Sequence, residues 1–254
     1  MDLDLVAQKY INDGYLVISE IFDQATVESI QAEIPKFRDG TYPVQDPFNQ
    51  TSTDSGLLAV HFPHWVSRPI FETLDHPNIK EVLQIIVGAH IPHWDGRVKC
   101  MQSMLFLKPP GFPGQAWHQD ERFIPTRDRS LVGVWIALDD ATLDNGCLRV
   151  IPGSHKMGQL WPTRPHNETE EFDLSDESYG FNSDDEEIVE VKAGSAVFFN
   201  GYLLHRSLRN LSNTSRRALV HHYMNAWSNL PWQVGADRLV DAATHDHRMI
   251  VPVA

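Results

Sequence analysis

The stretch from Leu131 to Leu138, LVGVWIAL, is a short and almost wholly apolar run between two polar segments. Its length and composition predict a β-strand, and similar runs recur on both sides of it, separated by Pro, Gly, Asn and Asp. Several such runs with turn residues between them indicate an antiparallel sandwich or barrel. The other runs are Met101–Leu107, Cys147–Ile151, Ile188–Val191, Ala196–Phe199 and Arg216–Met224.

The first third of the chain combines helical and strand patterns. We expect residues 1–254 to form a single domain, mainly β with flanking helices, in which N-terminal helices within 1–97 pack on a β core over 98–230. The predicted N-terminal elements are a helix over Leu3–Ile11, a strand over Tyr15–Ile18, a helix capped by Asp23 with Val27, Ile30 and Ile34 on one face, a loop from Gly40 to Gly56, and a helix from Pro77 to Gly88.

The composition limits the classes of partner. The formal net charge of −13 argues against nucleic acid and against an anionic membrane surface, because both require clustered Lys and Arg. No run of about 18 apolar residues is present, so we expect no membrane span. Two cysteines, Cys100 and Cys147, form no metal-binding or disulfide pattern. With no secretory signal in the first residues, we expect a cytoplasmic protein; the sequence does not indicate an oligomeric state.

An acidic stretch, Glu168 to Glu187, carries much of the negative charge. One interpretation is a solvated surface loop, which is the usual role of a charge block. The alternative is a lid over an active site, because long loops in compact domains often serve as lids.

The segment Trp117-His118-Gln119-Asp120 contains the residues with the clearest chemistry. Residues two apart in an extended strand point to the same side, so His118 and Asp120 can approach one ion together. A distant third ligand would complete a two-histidine, one-carboxylate triad, which is typical of non-haem Fe(II) oxygenases. His205, which follows an apolar strand and a turn, is the candidate for that ligand. A second cluster near the C-terminus, His245-Asp246-His247, suggests no third ligand.

Arg216 lies eleven residues after His205, at the start of a predicted strand. Alternation places it on one face with Ala218, Val220, His222 and Met224, where a buried cation is costly unless it pairs with an anion. The guanidinium matches a carboxylate in bidentate fashion. A dicarboxylic 2-oxo acid that chelates the metal and places its far carboxylate on the arginine fits both sites.

These residues lie within a pattern that resembles the phytanoyl-CoA dioxygenase family of 2-oxoglutarate oxygenases. The resemblance covers roughly residues 98–224, about half of the chain. It rests on Lys108-Pro109-Pro110-Gly111, Trp117-His118-Gln119-Asp120, Trp135, the run NGCLRVIPGSHK from Asn145 to Lys156, His205-Arg206-Ser207, Asn210 and Arg216.

The resemblance implies a double-stranded β-helix (jelly roll, cupin-like) core. It also implies an Fe(II)- and 2-oxoglutarate-dependent dioxygenase that uses O2 to hydroxylate, or otherwise oxidise, a small to mid-sized metabolite, with succinate as co-product. Halogenating relatives lack the carboxylate ligand, so Asp120 favours hydroxylation. The implied catalytic iron ligands are His118, Asp120 and His205, and the implied 2-oxoglutarate-binding residues are Arg216, assisted by Ser207, with Gln102, Met104 and Trp135 lining the pocket.

Two alternative functions remain open from the sequence. One is a non-catalytic jelly-roll binding protein, and the other is a cupin-like metalloenzyme that uses another divalent metal. The negative charge argues against a CoA ester as substrate. Candidate substrate contacts are aromatic or cationic: Phe62, Trp65, Phe123, Tyr202, Trp227, Arg122 and Arg127. The remaining histidines are interpreted as packing or surface residues, with His155 as a hydrogen-bonding residue and His222 as a pocket candidate on the Arg216 face.

Overall fold

The computed structural model describes residues 3–42, 59–87, 95–228 and 251–253. Within these residues, five α-helices and two 3-10 turns flank an antiparallel β core. The helices are α1 (Leu3–Asp13), α2 (Gln24–Gln31), α3 (Ile34–Arg38), α4 (Arg68–Thr73) and α5 (Pro77–Ile86), and the 3-10 turns are Pro63–Trp65 and Asp120–Arg122.

The strands begin early in the chain and dominate it from Val98 onward. In chain order they are β1 (Tyr15–Ile18), β2 (Ala59–His61), β3 (Val98–Lys108), β4 (Gln115–His118), β5 (Val132–Ala137), β6 (Leu148–Val150), β7 (Thr163–Arg164), β8 (Glu177–Ser178), β9 (Glu187–Val189), β10 (Ala196–Asn200), β11 (His205–Ser207), β12 (Arg216–Asn225) and β13 (Val251–Val253).

Two sheets form the core. The larger has the order β1-β10-β5-β12-β3-β13, with β2 also pairing with β3, and the smaller has the order β4-β11-β6-β9. Each pairing of these strands is antiparallel. The mainly β class with flanking helices is therefore confirmed.

Alternation along the strands divides the core into two layers. On β12, Leu219 and Tyr223 face a cluster that includes Ile30, Ile70 and Leu83 of the helices. On the same strand Ala218 and Val220 face the other way, toward Leu148 and Val150 of the smaller sheet. The second layer lies between the two sheets, and the side chains that enter it are candidates for a site.

The helices follow the predicted pattern with one correction. Asp23 caps α2, and its side chain accepts a hydrogen bond from the Thr26 backbone N–H. The prediction that Ile34 belongs to the same helix as Val27 and Ile30 is wrong, because α2 ends at Gln31 and Ile34 begins α3. Pro35 explains the break, because a proline has no N–H to donate and its ring clashes with the preceding turn. Ile34 is still buried in the helical layer of the core. Most of the predicted Gly40–Gly56 loop, Gly88 and the His245-Asp246-His247 cluster lie outside the described residues.

The acidic stretch is anchored to the outer face of the smaller sheet. Arg206 on β11 holds Glu186 with two hydrogen bonds, of 3.0 and 2.7 Å, and its guanidinium also lies 4.7 Å from the centre of the Trp117 ring. Phe172 is buried, and Phe181 packs edge-on against Trp117. The stretch thus covers the side of the smaller sheet that faces away from the interior layer.

Within the part of the chain that the structure describes, none of the helices is both long enough and apolar enough to cross a bilayer. The prediction of one domain over the whole chain stays a prediction.

Candidate metal centre

Two neighbouring strands of the smaller sheet bring the predicted histidines together. His118 ends β4, His205 begins β11, and the two residues are direct partners in the antiparallel register. Gln119 is extended, and Asp120 then opens the 3-10 turn Asp120–Arg122. The carboxylate therefore reaches the same side as the two histidines. His205 follows Asp120 by 85 residues in the chain, and the pairing of β4 with β11 brings the two together.

The three side chains are close enough to share one ion. The Nε2 atoms of His118 and His205 lie 3.7 and 3.6 Å from Asp120 Oδ1. Metal–ligand bonds of about 2.1 Å allow ligand atoms up to about 4.2 Å apart around a single ion. Among the described residues, this is the one group of three or more potential ligands with such spacing.

Backbone carbonyls orient both imidazole rings. His118 Nδ1 lies 2.7 Å from the Ala116 carbonyl oxygen, and His205 Nδ1 lies 3.0 Å from the Leu203 carbonyl oxygen. A ring nitrogen in that position carries the proton and donates, so each Nε2 keeps its lone pair for a metal. Burial, together with the neighbouring His118, lowers the pKa of His205 to about 4, which keeps the ring neutral at physiological pH.

A fourth side chain, His222 on β12, holds the carboxylate from the opposite sheet. His222 Nε2 lies 3.0 Å from Asp120 Oδ2, while Asp120 Oδ1 faces the two other histidines. Burial by itself raises the pKa of Asp120, but His205, His222 and His118 together hold it well below its ordinary value. The carboxylate is therefore ionised and fixed. The sequence indicated only that His222 shares the Arg216 face; its contact with Asp120 depends on how the sheets stack.

A second polar cluster lies at the start of β12. Arg216 is 5% exposed, its Nε has no hydrogen-bond partner among the described residues, and its guanidinium carbon lies 5.4 Å from the centre of the Trp135 ring. Burial lowers the pKa of Arg216 to about 10, so the group remains charged near neutrality. Ser207 is on β11, two residues after His205. A buried and unpaired guanidinium fits an anion that enters the interior layer.

The other predicted pocket residues occupy the same side of the larger sheet. Gln102, Met104 and Trp135 pair with or lie beside the inward-facing His222 and Val220 of β12. Gln102 Nε2 lies 3.1 Å from His61 Nδ1, and Met104 and Trp135 pack in the interior layer. The structure thus brings these residues to one face, and their roles stay predictions.

The candidate substrate contacts are dispersed. Phe123 is 52% exposed, and its ring lies 6.3 Å from that of His118, at the edge of the metal cluster. Phe62 and Trp65 instead stack on one another at 4.8 Å. Tyr202 lies beside Arg129, and Arg122 contacts Thr163. Trp227 and Arg127 are both exposed. His155 hydrogen-bonds to the Ile11 carbonyl, as its predicted role requires.

Comparison with known proteins shows the family of the chain. The phytanoyl-CoA dioxygenase (PhyH) family model matches residues 10–218. A phytanoyl-CoA dioxygenase of Arabidopsis thaliana is 41% identical over 137 residues, which are 52% of this chain and 48% of that protein. The chain thus spans about half the length of this relative.

Solved structures show the same fold at low identity. The non-heme alpha ketoglutarate dependent epimerase SnoN superposes with a TM-score of 0.71 at 19% identity, covering 93% of this chain and 87% of that one. The carbocyclase SnoK from the same biosynthesis gives a TM-score of 0.69 at 19% identity, covering 98% and 96%. The fold is therefore the double-stranded β-helix that the sequence predicted. Because the family model matches residues 10–218, which are most of this chain, the chain belongs to the phytanoyl-CoA dioxygenase family.

Proposed function

We propose that this protein is an Fe(II)- and 2-oxoglutarate-dependent dioxygenase that hydroxylates a small to mid-sized organic metabolite. One observation carries the proposal. The cluster of His118, Asp120 and His205 opens into the layer between the two sheets, and so does the buried Arg216, which has no ion-pair partner among the described residues. A metal cluster alone serves many enzymes, but a metal cluster facing an unpaired guanidinium suits a co-substrate with a carboxylate at its far end.

The donor set fits ferrous iron. Two imidazoles and one carboxylate would hold such an ion and would leave positions for a chelating 2-oxo acid and for O2. When bound, iron supplies the activation of O2 that couples decarboxylation of 2-oxoglutarate to succinate with oxidation of the substrate. The relatives support this choice, since a solved structure of SnoN is a complex with Fe3+, alpha ketoglutarate and nogalamycin RO.

The residues of the chain supply position and charge. His118 and His205 are fixed by backbone carbonyls, and Asp120 by His222. Arg216 would bind the distal carboxylate of 2-oxoglutarate through its fork of N–H donors, with Ser207 as an additional donor. Gln102, Met104 and Trp135 would form the wall along the co-substrate. Phe123, exposed beside His118, is the candidate to contact the primary substrate.

The proposal is tested by anaerobic titration with Fe(II) and 2-oxoglutarate, followed by exposure to O2. We expect a weak visible charge-transfer band from the chelate and then succinate formation. The band is expected to disappear in His205→Ala and to remain in His166→Ala, a histidine outside the metal cluster. Analysis of the oxidised product would distinguish hydroxylation from the epimerisation and ring closure that SnoN and SnoK are named for.

The alternatives give different results in the same experiment. Binding of a divalent metal without binding of 2-oxoglutarate would indicate a cupin-like metalloenzyme of another class. Binding of neither would indicate a non-catalytic jelly-roll binding protein, and the proposed function would be abandoned.

A further inference from the structure

The Ser207 hydroxyl is an acceptor for two separate donors. Lys108 Nζ and the Gln115 backbone nitrogen each lie 3.3 Å from Ser207 Oγ. A serine hydroxyl has two acceptor lone pairs and one proton. With both lone pairs directed at donors, the proton is left to be given to a third group. Among the hydrogen bonds within the described residues, none has this hydroxyl as donor.

Lys108 is buried next to the cation that defines the anion site. It is 2% exposed, and it is the direct cross-strand partner of Arg216 between β3 and β12. Its Nζ also donates to the Leu208 carbonyl. Over residues 3–42, 59–87, 95–228 and 251–253, neither Lys108 nor Arg216 has a carboxylate within ion-pair distance. A second buried cation beside Arg216 would be unfavourable unless an anion joined the two groups.

The chain makes room for the lysine head group. Gly146, in the turn before β6, has a φ of +75°, and a Cβ at this position would lie 2.6 Å from Lys108 Nζ and 2.2 Å from the Leu208 carbonyl oxygen. A side chain there would displace the amine from its contacts. The glycine of the Asn145-Gly146 motif thus keeps Lys108 in place behind Ser207.

From these contacts we infer that Lys108 is a positioning residue for the co-substrate. It holds the Ser207 hydroxyl so that its proton points to a carboxylate on Arg216, and it thereby makes the site select a dicarboxylic 2-oxo acid over a monocarboxylic one. The inference rests on the proposed function, because it assigns a residue to the distal end of 2-oxoglutarate.

The role of Lys108 as a donor does not depend on its charge. Burial, followed by the charge of Arg216, holds the pKa of Lys108 well below its ordinary value. An amine and an ammonium both have the two N–H groups that the contacts with Ser207 and Leu208 require. A bound carboxylate favours the charged form, which would add attraction to the orientation of the hydroxyl.

The test compares two ligands of equal chain length on the Fe(II)-loaded protein without oxygen, by calorimetry. The first ligand is 2-oxoglutarate, and the second is 2-oxopentanoate, which lacks the distal carboxylate. The variants are Lys108→Met, Ser207→Ala and the double variant. Lys99→Met is the matched control, because Lys99 is on the same strand β3, about 30 Å away, and its Nζ contacts the Ser228 carbonyl instead.

We expect Lys108→Met to weaken binding of 2-oxoglutarate about tenfold, which is the loss of one hydrogen bond to a charged group. Binding of 2-oxopentanoate and both affinities of Lys99→Met should change by less than about twofold, because these do not involve the distal site. In the Ser207→Ala background the lysine change should add less than about threefold, because the two residues act as one unit.

The inference would be overturned if Lys108→Met left the ratio of the two binding affinities unchanged, whether or not both affinities fell. A lysine with a merely structural role would not change this ratio. If Lys108→Met does not fold, Ser207→Ala is measured alone and must weaken binding of 2-oxoglutarate more than binding of 2-oxopentanoate. The absence of this difference would also overturn the inference. If the wild type does not bind 2-oxoglutarate, the proposed function itself is wrong; if it does and Lys108→Met keeps the wild-type selectivity, only the role of Lys108 is wrong.

Discussion

Replacement of His222 by leucine is expected to weaken Fe(II) binding although His222 is not itself placed as a ligand. Its Nε2 contacts Asp120 Oδ2 at 3.0 Å, and this is the one side-chain hydrogen bond to Asp120 among the described residues. Leucine fills a similar space and leaves Oδ2 buried without a donor. A hydrogen bond to a charged group contributes about 1.5–3 kcal/mol, which corresponds to roughly 10- to 150-fold in affinity.

Two effects oppose each other in this variant. A carboxylate that loses its donor attracts a cation more strongly, but it also loses its orientation toward the histidines. Changes to the partners that orient metal ligands typically reduce metal affinity about 10- to 100-fold, so we expect the loss of orientation to dominate.

His221 provides the matched control on the same strand. It is also fully buried, but it points to the helical layer, where its Nε2 lies 2.8 Å from Thr73 Oγ1. The measurement is anaerobic competition for Fe(II) against a chromophoric chelator, with His222→Leu and His221→Leu side by side. Equal effects of the two changes, or tighter binding in His222→Leu, would refute the reasoning.

Three further predictions concern turnover and stability. Asp120→Ala is expected to abolish Fe(II)-dependent succinate formation, because it removes one of the three proposed ligands; full activity would contradict the triad. Arg216→Ala is expected to raise the KM for 2-oxoglutarate by at least about tenfold, with a smaller effect on kcat. Arg216→Lys should recover part of this loss, because lysine keeps the charge but not the planar fork of donors. Steady-state kinetics over a range of 2-oxoglutarate concentrations measures both effects. Burial, with His64 and His222 nearby, holds the pKa of His221 well below its ordinary value, so the unfolded chain binds a proton there more readily than the fold does. Stability should therefore fall as pH drops below about 6.5, and thermal unfolding of His221→Leu should show a weaker fall over the same range.

The sequence predicted the long elements and the grouping of His118, Asp120 and His205 well, because their signals are largely local. The alternation of faces from Ala218 to Val220 and the Asp23 cap are both reproduced. The residues His118 and Asp120 lie two apart on an extended segment, and that spacing alone indicates a shared target. Such features need no knowledge of how the sheets meet.

Other parts of the site depend on long-range stacking and could not be predicted. The strand β11 has only three residues, two of them charged or titratable, so it has no apolar pattern to detect. The contact of His222 with Asp120 joins two sheets, and the contact of Lys108 with Ser207 joins residues 99 positions apart. Sequence periodicity gives the side of a strand on which a residue lies, but not the residue that it meets across the core.

The pairing of β11 with β4 has a consequence for the length of the co-substrate. His205 and Ser207 point inward from β11 two residues apart, and the register with β4 shifts between them, from His118 to Gln115. At about 3.4 Å per residue, the proposed metal ligand His205 and the Ser207 hydroxyl are separated by about 6.8 Å along the strand. In the proposed reaction, β11 therefore fixes the distance between the groups that bind the two ends of the co-substrate. A diacid one methylene shorter or longer than 2-oxoglutarate would contact one of these groups and miss the other. Insertion of a single residue between the two positions would turn Ser207 toward the outer face, and the chain length of the accepted 2-oxo acid would change with it.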